Sequence, residues 1–231
     1  MEFNREIKLI FDHPHFTVIG KPSGMNFHSE DGPGLAVQVQ QMLGIEQLYP
    51  VHRLDKMTSG LVIFAKTLRA AQIFQTMFET REIEKFYLAI STRKPKKKQG
   101  WIKGDMEPAR RGNWKFAATK NNPAVTQFVS VALRTGERGF LVKPHTGKTH
   151  QIRVALKSIG APISGDIRYA HAEEAKKEER GYLHAYALRF MFDDEVYAFI
   201  LPPEEGERYL NDVFVSQLAI WSKPWTFFKQ V

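Results

Sequence analysis

The run Leu61-Val62-Ile63-Phe64-Ala65 is apolar without a break and follows directly on the turn Thr58-Ser59-Gly60. A short apolar run bounded by a turn reads as a buried strand. Such a strand needs neighbours, and further strand-like stretches lie at 16–19, 84–90, 125–133, 140–144, 182–190 and 196–200. The turn at 134–139 makes a hairpin of the two stretches beside it. Three helices are predicted among the strands. Residues 34–44 place Leu35, Val39, Met42 and Leu43 on one face, with Gly44 as the C-terminal stop. Thr67 caps a second helix running to about Thr80, with Ala70, Phe74, Met77 and Phe78 on its apolar face. Thr149 caps a third running to about Ile159, which turns Ile152, Ala155, Leu156 and Ile159 inward and ends at Gly160. The mixed-charge stretch 172–180 reads as a solvated helix or loop. From Gly206 onward a terminal helix and tail pack Trp221 and Trp225 on the core. No repeat or linker divides the chain, so a single domain over 1–231 is expected.

The chain has no cysteine, which removes disulfides, thiolate metal sites and cysteine nucleophiles together. The alternating charges of residues 1–6 do not make a secretory signal, and no apolar run approaches the roughly 20 residues that span a bilayer. A soluble cytoplasmic protein is expected. The formal charge of +8 suggests a polyanionic partner, nucleic acid ahead of a membrane surface. Most of that charge lies in one segment, Ser91 to Lys115, where nine Lys and Arg face only Asp105 and Glu107. Trp101 and Trp114 punctuate it. Cations interleaved with aromatics suit a phosphate backbone with stacked bases; a charged, solvated loop is the plainer reading.

Several side chains are candidates for chemistry. Asp55, in Val51-His52-Arg53-Leu54-Asp55-Lys56-Met57, lies between cations on a loop leading into the buried strand. A rigid element could hold it as a functional carboxylate; a surface ion pair or turn cap is the plainer alternative. Lys21, in the turn Gly20-Lys21-Pro22-Ser23-Gly24, could anchor a phosphate or be solvated. Tyr87, on the strand at 84–90, could edge a cleft or be half-buried packing. Lys148, His150 and Arg153 crowd the start of the third helix, where cations call for a nearby anion. The guanidinium of Arg153 could hold a carboxylate at two points. His13-Pro14-His15 has no third ligand at a useful spacing, so no metal site is predicted.

The motifs taken together resemble the RluA-type pseudouridine synthases. His52-Arg53-Leu54-Asp55 with Thr58-Ser59-Gly60 is similar to the family signature. Lys21-Pro22-Ser23-Gly24, Lys85-Phe86-Tyr87-Leu88-Ala89, Thr146-Gly147-Lys148-Thr149-His150-Gln151-Ile152-Arg153, Pro162-Ile163 with Gly165-Asp166, and Leu183-His184-Ala185 follow the family's order. The resemblance covers roughly residues 16 to 190. Three positions depart from it: Lys148 where Arg is usual, Ala155 where His is common, and Ala170 where Gly is usual.

The resemblance implies an α+β fold: a bent, mostly antiparallel mixed sheet flanked by helices and loops, with a central RNA-binding cleft and Asp55 at its floor. Residues of about 91–115 would be a basic insertion and about 206–231 a C-terminal helix and tail. The accessory N-terminal RNA-binding domain of many relatives is not expected, because the first motif begins near residue 16. The implied reaction isomerises uridine in ribosomal or transfer RNA to pseudouridine, without a cofactor. Asp55 would be the catalytic carboxylate, attacking the sugar or abstracting a proton from it. Arg153 would pair with Asp55, and Tyr87 would stack on the uracil, with help in removing the proton at carbon 5 as a further role; a phenol is a poor base at neutral pH, which favours stacking. Arg53, Lys21, Lys148, His150 and Leu183 would contact substrate or RNA. A monomer with no obligatory protein partner is expected. The competing readings are an RNA-binding relative that has lost catalysis, and a hydrolase using Asp55 as nucleophile. The hydrolase needs a second carboxylate, and none with that role is evident in the motifs.

Overall fold

The computed structural model describes residues 6–29 and 32–228; the first five residues and the last three, on which the readings of the N-terminus and the extreme tail fall, lie outside the described residues. In chain order the elements are β1 (Lys8–Asp12), β2 (Phe16–Lys21), α1 (Leu35–Leu43), β3 (Tyr49–Pro50), β4 (Ser59–Ala65), α2 (Leu68–Thr80) and β5 (Glu84–Ser91). They continue with β6 (Gln99–Gly104), β7 (Met106–Pro108), β8 (Trp114–Phe116), β9 (Ala124–Arg134), β10 (Glu137–Pro144), α3 (Gln151–Ser158) and α4 (Ala172–Ala175). The last are β11 (Leu183–Phe192), β12 (Glu195–Ile200), α5 (Glu207–Leu210) and α6 (Asp212–Ile220), with single 3-10 turns at Arg110–Gly112 and Pro224–Phe227.

One sheet of ten strands runs β1-β2-β4-β11-β5-β10-β9-β6, with β3 added to β4 and β12 added to β11. The pairs are antiparallel except β4 with β11, which run parallel at His184↔Ser59 and Ala185↔Gly60. One edge of β11 changes partner along its length. Residues 184–185 pair with β4, and residues 187–192 pair with β12. The sheet forks there, and the loop carrying Asp55 enters β4 at the fork. Gly60 makes the crossing possible: its φ is +111°, and a Cβ on it would lie 2.2 Å from the carbonyl oxygen of Ala185.

The strand at the centre of the sequence is buried on both faces, as expected. Leu61, Ile63 and Ala65 pack with α2 and the distal end of β11, whereas Val62 and Phe64 pack with α1. That alternation is the two-residue period of a strand between two layers. A third cluster joins β5, β9, β10 and α3 to the C-terminal helices, with Trp221 fully buried and Trp225 packed at its margin. Helix α2 begins as expected, with the Thr67 side chain accepting from the amide of Ala70. Gly44 closes α1 in the left-handed conformation.

Two helix details differ from the sequence reading. Met42 is 43% exposed: of the expected face of α1, Leu35 and Val39 are buried and Leu43 packs at the margin of their cluster. Thr149 does not cap α3. The residue before the helix is His150, in the left-handed conformation (φ 56°), and its side chain is turned elsewhere. The basic segment is also more structured than a solvated loop: it contains edge strand β6 and a separate β7–β8 ribbon. Among the described residues, no helix is long and apolar enough to cross a membrane.

Candidate active site

Asp55 stands on a loop that is fixed from below. The buried Lys21 ammonium donates to the carbonyls of Pro22, Lys56 and Thr58 at 3.1, 3.2 and 2.8 Å. Ser23 Oγ donates to the carbonyl of Met57 at 2.9 Å, and the Gly24 amide donates to that of Lys56 at 2.8 Å. The turn at 21–24 therefore clamps the three carbonyls that follow Asp55. The Thr58 amide closes the loop onto the Asp55 carbonyl at 3.0 Å. Burial, with Arg180 as the next cause, pushes Lys21 down to about 7. Lys21 thus supports the loop from within rather than reaching out as a phosphate anchor.

A second clamp holds the start of β4. His184 Nε2 lies 2.7 Å from the carbonyl of Leu201, which can only accept, so Nε2 carries the proton. Nδ1 then accepts from Ser59 Oγ at 2.7 Å, and Ser59 Oγ accepts in turn from Arg180 Nη2 at 2.6 Å. Burial, followed by a weaker contribution from Arg180, takes His184 down to about 3, in keeping with a neutral ring. Arg180 is completed by Glu205 at 2.9 Å, and Glu205 also accepts from the Ser23 amide. His52 has a similar framework role, its Nε2 accepting from the amide of Ile63 at 2.9 Å.

Helix α3 presents the opposing wall. Gln151 ties its first turn down: Oε1 accepts from Thr146 Oγ1 and the Lys148 amide, and Nε2 donates to Val125 O and Thr126 Oγ1. Two residues later, Arg153 reaches Asp55 as expected, with Nη1 2.8 Å from Oδ2. Its other two nitrogens engage Asp166, Nε to Oδ2 at 2.7 Å and Nη2 to Oδ1 at 2.8 Å. Burial opposes the Arg153 charge, but the hydrogen bonds and charge of Asp166, with Asp55 adding to them, outweigh it and hold the guanidinium above its ordinary value. Asp166, to which the motifs alone assign no role, is thus a second carboxylate near Asp55. It is fully buried, and both its oxygens are occupied by Arg153, with the Arg168 amide adding a third bond. It is therefore no acid for a hydrolase; it orients the arginine.

Two adjoining cavities of about 690 and 600 Å³ share Arg53, Leu54, Asp55, His150 and Arg153 as lining. Each is of a size to take a nucleoside. The smaller is also lined by Tyr87, Leu183, Lys148 and Lys85, and the larger by Arg180, Ile167 and Arg168. The structure thus brings all the expected site residues except Lys21 to one cleft. Asp55 is 23% exposed on its side chain, and its Oδ1 takes no hydrogen bond among the described residues. Tyr87 is half-buried; burial first, and the charge of Asp55 second, push its phenol above the ordinary range. Arg53 is exposed at the mouth. Sequence reasoning gives no role to Asp166, Tyr169, Arg180 or Lys85. Lys85 is buried with its ammonium over the Phe78 ring, and burial lowers it to about 8. The only signal for these four is their place within or beside the dense motifs. Among the described residues, no group of His, Asp or Glu could hold a metal ion.

Comparison with known proteins identifies the family. The model of the family described as RNA pseudouridylate synthase matches residues 15–158. An uncharacterized RNA pseudouridine synthase of Haemophilus influenzae is 42% identical over 221 residues, covering 95% of this chain and 98% of that protein. The dual-specificity RNA pseudouridine synthase RluA of Salmonella typhimurium is 32% identical over 187 residues, covering 78% of this chain and 84% of that one. The solved structure of human RNA pseudouridylate synthase domain containing 1 superposes with a TM-score of 0.73 over 88% of this chain and 86% of its own; at 23% identity this likeness concerns the fold. The chain belongs to the RluA-type branch of the RNA pseudouridylate synthase family and is an enzyme that isomerises uridine in RNA.

Proposed function

We propose that Asp55 is the catalytic carboxylate of this isomerisation, that Arg153 aims it, and that the target uridine lies in structured ribosomal or transfer RNA. The observation that supports the reading is the single Arg153 bond to Asp55 Oδ2, which leaves Oδ1 without a hydrogen bond among the described residues, on a carboxylate that shares a cavity with Tyr87 and Leu183. The reaction breaks the bond between ribose C1′ and uracil N1, turns the base, and joins C1′ to C5. The proton at C5 leaves and N1 gains one, so the atoms balance without a cofactor. Attack on the sugar or removal of a sugar proton both require a carboxylate held close and partly shielded from water.

Tyr87 stacks on the uracil; its raised phenol makes it a poor base, which favours stacking over proton removal. Leu183 packs against the same base. Arg53 and Lys148 contact the RNA, and Arg53 at the mouth is suited to fill the gap left by the extracted base. Flipping that base out costs about a few kcal/mol. Cations of the basic segment help to offset this through phosphate contacts. The whole chain serves as one catalytic domain and acts as a monomer in the cytoplasm. Incubation with cellular RNA tritiated at C5 of uridine tests the reading: tritium is released to water, and pseudouridine maps with and without the protein identify the uridine. No release from any RNA pool sinks it.

A further inference from the structure

The position of one proton in the cleft follows from three hydrogen-bonding groups in a row. The amide of Trp114, on β8 of the basic segment, lies 2.8 Å from the hydroxyl of Tyr169. That hydroxyl lies 2.8 Å from Nδ1 of His150. A backbone amide can only donate, so the Tyr169 oxygen accepts from it. Tyr169 is buried, and among the described residues the one acceptor within reach of its single phenolic proton is His150 Nδ1, so the proton goes there. Burial raises the Tyr169 phenol, which keeps that proton in place. Nδ1 must be bare to accept it. Burial, then the charge of Arg153, lowers His150 against a smaller opposing pull from Asp55, so the ring is neutral and its hydrogen sits on Nε2.

Nε2 faces the reaction site. It is 3.9 Å from Asp55 Oδ2, too far for a hydrogen bond, and no other described residue accepts from it. His150 lines both cavities. We infer that His150 is a neutral Nε2–H donor to a ribose or uracil oxygen of the nucleotide held against Asp55, and that Tyr169 is the positioning residue that sets its tautomer. The inference rests on the reading of Asp55 as the catalytic carboxylate. A neutral donor holds the nucleotide without bringing a second cation to Asp55, which Arg153 already contacts. Tyr169 is built into the same corner. Its ring lies edge-on to His150 with centroids 5.6 Å apart, and the Arg153 guanidinium carbon is 4.9 Å from its centroid. The donor chain begins in the basic ribbon. Arg168 Nη1 pins that ribbon through the carbonyl of Arg111 at 2.8 Å, so the segment that meets RNA is tied to the orientation of a group beside Asp55.

The test is the tautomer of His150, read by two-bond nitrogen–proton correlation on protein labelled with nitrogen-15 histidine, with His150→Gln identifying the signal. The wild-type protein shows the Nε2–H form at neutral pH. Tyr169→Phe keeps the ring but removes the hydroxyl, and the signal moves toward the Nδ1–H form or an average. The kcat for tritium release falls at least roughly tenfold, while KM and RNA affinity change less than about threefold. His150→Gln, which keeps an N–H donor at similar reach, retains more activity than His150→Ala. An Nδ1–H or doubly protonated ring in the wild-type protein overturns the inference, and that spectrum decides even if Tyr169→Phe does not fold. So does a folded Tyr169→Phe with unchanged spectrum and rate. Loss of the Asp55 reading appears separately, as activity surviving in Asp55→Asn.

Discussion

Arg153 and Asp166 form a buried two-point pair, at 2.7 and 2.8 Å, that leaves Nη1 as the nitrogen that meets Asp55. The guanidinium is planar, so fixing two of its nitrogens fixes the direction of the third. Asp166 thus fixes the direction from which Arg153 meets Asp55.

Arg153→Lys breaks this geometry while keeping the charge. A lysine ammonium is a point charge on a flexible stem and cannot serve both carboxylates in one fixed plane. The kcat for tritium release falls at least roughly tenfold with RNA affinity changed less than about threefold. Asp166→Asn leaves Arg153 buried with its charge half compensated. Stability falls by about 3–5 kcal/mol, read by denaturant unfolding. An unchanged midpoint shows that the pair does not hold the arginine.

Tyr87 is expected to act through its ring. Tyr87→Phe keeps RNA affinity and leaves the alkaline side of the rate profile unchanged. Tyr87→Ala loses about 1–3 kcal/mol of binding. A Phe variant that binds normally but releases no tritium indicates that the hydroxyl takes part in the reaction.

Lys85 gives a pH dependence of definite sign. It lines the cleft beside Tyr87, and no carboxylate pairs with it among the described residues. Its neighbour Glu84 is engaged instead by Lys143 and Arg189. Burial places Lys85 at about 8, so raising the pH through that value removes a positive charge from the cleft. RNA affinity at constant salt falls between pH 7 and 9, and Lys85→Met removes the portion of the fall centred near pH 8. Equal falls in both proteins show that Lys85 does not meet RNA.

The basic segment divides into two parts with separate expectations. The loop between β5 and β6 lies at the C-terminal end of α3, where the Lys96 amide donates to the carbonyl of Ile159. The turn at Arg110–Gly112 instead borders the cleft, with Gly112 lining the larger cavity. Replacing Arg110 and Arg111 by Ala lowers the slope of log affinity against log salt by roughly one for each phosphate no longer neutralised. Replacing Lys96, Lys97 and Lys98 changes it less. The reverse ranking assigns RNA binding to the far loop.

Much of this arrangement is legible in residue order. The strand at 61–65 announces itself by five apolar residues, and the caps Thr67 and Gly44 by their own chemistry. Asp55, Tyr87 and Arg153 can be named because each stands within a dense motif, and the cleft assembles them from three distant segments. Asp166 is not legible as a partner, because nothing local shows that a turn Asp is fully buried against an arginine thirteen residues earlier. Tyr169 and Arg180 escape for the same reason: their partners lie in β8 and β4. The left-handed His150 displaces the expected Thr149 cap, because its ring is held by Tyr169 rather than by the helix. Lys21 has the look of an anion anchor from its turn, yet its three donors serve carbonyls of the loop it supports.

The central claim is that Asp55 carries the reaction. Its most direct measurement is tritium release from RNA labelled at C5 of uridine, at RNA concentrations that saturate both proteins, comparing the wild type with Asp55→Asn. Asn keeps the shape of the side chain and can still accept from Arg153, so the account predicts RNA binding within about threefold of wild type and release reduced to background. Release by Asp55→Asn at a rate near that of the wild type would contradict it.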